Sequence, residues 1–328
     1  MNLVEIASFD VVHQQLSWPW ITFDASGKRF AFVSSERGIS SRVLEGGAVA
    51  EGTSFALPAD LALAALHGFA LDTSGALLAI VGVASAVSVV ITCDVDGEQR
   101  RTPIEALIGP GFTPRAVAFD AIGVRLWISA ESEKETALVL IDSWTHALIG
   151  VSRSELFPPP ATHELSLHPQ DDAVLLLAAC GEDGTFARVA GWSGGGVEAI
   201  PTALDKGGIP AGFVGFSADG ARVHLAEADE LRTHAWPGLE ELSSVELADD
   251  FVSSFSGVVL GDRILVDGED AEAREDAVMT FDRSAMVGSL LGEPVPKGMW
   301  AGRLGIDCIV TVEAKGEPAR GRVVRIAL

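Results

Sequence analysis

Apolar residues recur along this chain in short runs of five to seven, rich in Val, Ile, Leu and Phe and bounded by Gly, Asp and Ser. Runs of that length and composition predict β-strands. The stretch 115–151 shows the pattern: RAVAFD at 115–120, an Ala-Ile-Gly turn, VRLWISA at 124–130, an acidic loop, ALVLID at 137–142, and a fourth strand from His146 to Val151. Asp96-Gly97 is a hairpin-turn dipeptide. No window carries a long, capped amphipathic helix. PADLALAALHG at 58–68 reads as a strand plus a connection, or at most one turn of helix.

The strand groups repeat. FDASGKRF at 23–30 is echoed by LDTSGALL at 71–78, FDAIGVRL at 119–126, LHPQDDAVLL at 167–176 and FSADGARV at 216–223, with anchors Phe23, Leu71, Phe119, Leu167 and Phe216 spaced by 48, 48, 48 and 49 residues. Two further units carry Gly261 and Gly305 at the turn position, at steps of 41 and 44 from Gly220. A four-stranded antiparallel unit repeated seven times at this period predicts an all-β fold, a single seven-bladed β-propeller domain. The blades are expected near 17–63, 64–111, 112–160, 161–208, 209–249, 250–296, and 297–328 plus 1–10. The last unit has room for only three strands, and Leu3 to Phe9 is left over at the other end. Pairing the two completes the blade and leaves no open edge.

The stretch from Thr73 to Cys93 carries no charge and by length alone suggests a membrane span. Gly75, Gly82, Ser85 and Ser88 punctuate it, and its β-branched residues fall into two groups, Ile80 to Val83 and Val87 to Thr92. Two buried strands joined by a tight hairpin are therefore expected, since strands covered on both faces read as continuous apolar runs.

The apolar-[Asp/Ser/His]-x-x-Gly turn after each inner strand resembles that of the WD40-like and YVTN group of bacterial seven-bladed propellers, over nearly the whole chain. Gly-His and Trp-Asp dipeptides are absent, although Trp144, Trp192 and Trp236 sit at or near the ends of successive third strands. GFTPRAVAFDAIGVRLWISAE at 111–131 is similar to the Gly-x-x-Pro-Arg-His block of YVTN-type lactonases. Arg115 and Glu131 match that block, and Ala116 stands where it has His. The resemblance implies a fold used mostly as a platform for proteins, with lactone hydrolysis through Arg115, Glu131 and His163 as the catalytic alternative.

Charge narrows the partners. The 328 residues hold 23 Lys plus Arg against 46 Asp plus Glu, a formal net charge of −23, which opposes binding to nucleic-acid phosphates. Five loops after second strands, 131–135, 181–184, 227–230, 267–276 and 313–317, supply −13 of it, while the loops near Glu36-Arg37 and Ala84-Ser85 supply none. These loops are expected on one face, with Glu131, Glu133, Glu135, Glu182, Asp183, Glu227, Asp229, Glu230, Asp267, Glu269, Asp270 and Glu272 docking a protein with a basic surface.

Counting four residues back from the anchors places Pro19, His67, Arg115, His163 and Gly212 around the channel mouth, with Glu164, Trp20 and Trp300 beside them. Such a ring suits an anionic ligand. DVDG at 94–97 and DGED at 267–270 hold only fragments of a calcium loop, and H-E-x-x-H, G-x-S-x-G and P-loop motifs are absent. No cofactor or metal is expected. Three scattered cysteines, Cys93, Cys180 and Cys308, and an N-terminus without a signal-peptide pattern predict a cytoplasmic protein with reduced thiols, monomeric on its own.

Overall fold

The computed structural model describes residues 2–12, 21–35, 37–159, 161–205, 208, 210–272, 275–282, 288–290, 299–313 and 318–327. These form seven four-stranded antiparallel sheets arranged as the blades of a β-propeller. Blades 1 to 6 span 21–56, 66–103, 113–155, 162–200, 212–246 and 251–290, each with its strands paired in chain order. Blade 7 joins 299–304, 308–313 and 319–327 to the N-terminal strand Asn2–Val11, whose register runs from Asn2 opposite Ala327 to Val11 opposite Ala319. The expected ring closure is present.

The regular period has a local chemical cause. The residue after each anchor caps the turn between the first two strands: Asp24 Oδ1 accepts the backbone N–H groups of Lys28 and Arg29 at 3.0 and 2.9 Å, and Asp120 Oδ1 accepts those of Val124 and Arg125. His168 Nδ1 does the same for Asp171 at 2.8 Å and Ser217 Oγ for Arg222 at 3.0 Å. Asp, His and Ser are interchangeable there because each offers an acceptor at short reach. The turn glycines that follow, Gly27, Gly75, Gly123 and Gly220, have φ from +63 to +77°, a conformation other residues adopt at a cost.

The hydrophobic core is divided among the seams between blades. Among the described residues seven clusters of buried apolar side chains each join two neighbouring blades, for example Ala70 to Val90 of blade 2 with Val117 to Ile141 of blade 3, bridged by Ile104, Ile108 and Phe112, and Phe9 and Val11 with Phe30, Phe32 and Leu304 where blade 7 meets blade 1. The uncharged stretch folds as expected into strands Leu77–Ala84 and Val87–Asp94. Ser85 and Ala86 between them both have positive φ, as a two-residue hairpin requires. Residues 58–68 contribute one 3₁₀ turn, Leu63–Ala65, before the inner strand Leu66–Leu71. A five-residue helix, Ile104–Ile108, lies between blades 2 and 3 and is too short to leave a helical period in the sequence. Among the described residues no helix is long and apolar enough to cross a membrane.

Candidate functional site

In each blade the start of the inner strand lies beside the end of the second strand and the start of the third. Thr113 pairs with Glu131, and Glu131 with Thr136. The loops entering the blades and the acidic loops therefore share one face, around the mouth of the channel.

The most developed polar constellation on that face spans the seam of blades 3 and 4. Arg115 sits at a register shift in its inner strand between Pro114 and Ala116, and a β-bulge re-aims its side chain. Its Nε donates to Glu131 Oε2 at 2.9 Å, and the side chain is 41% exposed. Glu131 Oε1 lies 2.8 Å from His163 Nε2, and His163 Nδ1 lies 2.5 Å from Ser129 Oγ. With the carboxylate accepting, His163 Nε2 carries the proton, and Nδ1 takes the Ser129 hydroxyl. Burial alone would raise the Glu131 carboxyl, but the contacts with His163 and Arg115 outweigh it and hold the group below its ordinary range.

Ser, His and Glu are the residue types of a nucleophilic triad, yet Ser129 is completely buried and His163 and Glu131 nearly so. A hydroxyl without solvent access has no path to a substrate. The chain Ser129, His163, Glu131 works instead as a brace that fixes Arg115 and presents its outer edge. Below it, Phe157 meets the His163 ring edge-on at 5.5 Å, and the Arg188 guanidinium lies 3.8 Å over Phe157. Ala116 is buried and adds no polar atom.

The other mouth residues are dispersed. His67 Nδ1 lies 2.6 Å from the Pro114 carbonyl oxygen, linking blades 2 and 3, and burial lowers its pKa. Glu164 points to the opposite side of its strand from His163, as alternation demands. It is exposed at the surface, and desolvation by the surrounding protein pushes its carboxyl up to about 7. Trp300 is buried in the seam of blades 6 and 7 and so does not line an open mouth, contrary to its expected role. Pro19 and Trp20 lie outside the described residues. The structure therefore brings together Arg115, Glu131 and His163, and leaves His67, Glu164 and Trp300 apart from that group.

The acidic loops divide in the same way. Glu133, Glu182, Asp183, Asp229 and Glu272 are exposed, and Glu230, Glu269 and Asp270 partly so. Glu131, Glu227 and Asp267 are buried and are removed from the docking set, because their side chains turn into seams and ion pairs. Glu227 pairs with Arg232 at 3.0 Å, and Arg232 also binds Glu230 and Glu241. Asp267 accepts a hydrogen bond from Ser256 Oγ and from the backbone N–H groups of Trp300 and Gly268, but desolvation still drives it up to about 7. Glu135 is occupied by Arg153.

Residues the sequence reading passed over extend the acidic surface. Asp249 and Asp250 in the loop entering blade 6 add to it. Backbone bonds from Leu247 N–H to Asp229, Ser253 N–H to Ala228 and Ala271 N–H to Asp250 knit three loops of blades 5 and 6 into one surface. On the opposite face Arg125 bridges Asp120 and Asp172, both at 2.6 Å, and stacks on Trp192; it fastens blades 3 and 4.

The two calcium-loop fragments have other uses. Asp94 Oδ1 caps the hairpin turn through the N–H groups of Asp96 and Glu98, and 267–270 continues the strand Arg263–Asp270. Among the described residues no group of three His, Cys, Asp or Glu side chains has a metal-holding arrangement. No family model matches the chain, and comparison with curated proteins gives no match.

Proposed function

We propose that this propeller is a non-catalytic interaction module that holds a basic protein partner on the loop face of blades 3 to 6, acting as a scaffold or a regulatory or inhibitory subunit. The carrying observation is the uneven placement of exposed acid on that face: Glu133, Glu182, Asp183, Asp229, Asp249 and Glu272 against Arg37, the Ser85-Ala86 turn and Asp60, itself paired with Arg101, on blades 1 and 2. A field of one sign concentrates a cationic partner and is weakened by salt. The turn chemistry supports placing the chain with the WD40-like and YVTN propellers. Three free, buried thiols support a reducing, cytoplasmic setting.

Capture of partners from native lysate across a salt series tests the reading. A defined partner retained at low ionic strength, released by salt and lost from an Asp229→Lys, Asp249→Lys, Glu272→Lys variant is expected. Absence of any retained partner at low ionic strength overturns it.

A second reading is lactone hydrolysis at the braced Arg115, favoured by the partly open guanidinium held 2.9 Å from Glu131. Equal lactone hydrolysis by wild type and Arg115→Ala, or none above buffer, ends it.

A further inference from the structure

Val252 and Phe255 are 51% and 40% exposed. Among the described residues they are the large apolar side chains that an inner strand leaves open to solvent; the other exposed ones lie on outer strands, on one third strand at Val87, or in turns. Both belong to Phe251–Leu260, the inner strand of blade 6. There Ser253 pairs with Gly268 and Ser256 with Asp267, so Ser254 and Phe255 are extruded from the ladder. Phe255 is held at φ +56°, with its N–H donating to Ser253 Oγ at 3.0 Å. That backbone region is disfavoured for any residue with a Cβ. Gly212 on the neighbouring inner strand makes room, since a Cβ there would lie 1.7 Å from the Phe255 carbonyl oxygen.

An aromatic ring turned to water on a strained bulge gains nothing within the monomer, and such outliers point to a use outside it. Its surroundings name the chemistry. Val252 pairs directly with Glu269 and Phe251 with Asp270, and the knitted loops bring Asp229, Asp249 and Asp250 to the same sector. An apolar centre inside an acidic rim is the layout of an interface hot spot.

Resting on the docking reading above, we propose that Val252 and Phe255 anchor a basic segment of the partner in which Lys or Arg flank one apolar or aromatic side chain. A second copy of this chain does not suit the site, because it carries −23 and repels its like.

Fluorescence anisotropy with two labelled probes tests this: a short Lys-rich peptide with one central Trp, and the same peptide with Ser at that place. The Trp peptide is expected to bind about tenfold more tightly. Phe255→Ala and Phe255→Gly, the latter also easing the backbone, should abolish that preference and leave the Ser peptide unchanged. Asp229→Lys with Asp249→Lys should weaken both peptides. Equal binding of the two peptides, or a Trp preference that survives both Phe255 variants, overturns the inference and leaves the acidic docking face standing. Failure of both peptides to bind at low ionic strength overturns the inference and the docking reading together.

Discussion

The seam between blades 3 and 4 and the seam between blades 6 and 7 use the same slots for different ends. Six residues past the turn glycine stand Ser129 in one and Asp267 in the other, and the second residue of the next inner strand is His163 in one and Trp300 in the other. In the first seam the pair starts a hydrogen-bonded chain that ends on a partly exposed arginine, with the Glu131 carboxyl held low. The second seam buries an acid raised to about 7 beside an indole whose Nε1 finds no partner among the described residues. The repeat thus fixes where two side chains meet and leaves their chemistry free.

Three substitutions sharpen that contrast. Trp300→Ala should have the largest effect, lowering stability by about 3–5 kcal/mol, because it empties a packed seam; denaturant midpoints measure it, and a loss as small as that of an exposed residue would deny the seam its packing role. His163→Ala should cost about 2–4 kcal/mol by leaving Glu131 and Ser129 buried without their partner. A matching loss in Glu131→Gln, non-additive with the first, would show that the residues act as one chain.

The smallest effect separates the seams by the sign of their pH dependence. Asp267 has a folded pKa near 7 against an ordinary 3.8, so its protonated form favours folding, and stability falls as pH rises from about 4 through 7. Glu131 is shifted the other way, so its contribution is present above its ordinary range and is lost as pH falls. Asp267→Asn should therefore gain about 1–2 kcal/mol at pH 8 and little at pH 4, the loss of acceptor strength offsetting part of the linkage. Glu164, raised in the same direction, leaves a residual slope in that variant. A pH-independent gain would place the effect outside Asp267 ionisation.

The ring and its closure were legible in the chain because turn caps and turn glycines are short-range devices that survive as residue types at a fixed period. The pairing of Arg115 with Glu131 was legible only through a motif resemblance. Other features left no such trace. Glu131 and Glu133 look like one solvated run, yet the first is the last residue of a strand and faces a seam. Ser129 sits within an apolar strand and reads as filler until His163 is brought against it from the next blade. Bulges at Arg115 and at Ser254-Phe255 change which side of a strand each residue takes, and neither carries a glycine to mark it.

The pairing of 2–11 with 319–327 also has a consequence during synthesis. At roughly 5–20 residues per second, on the order of half a minute or so separates the emergence of the two partners from the ribosome. Throughout that interval the opening segment has no sheet to join, and blades already folded form an incomplete arc with exposed hydrogen-bonding edges. Ring closure therefore waits for the strand Ala319–Ala327 to be free to pair with Asn2–Val11.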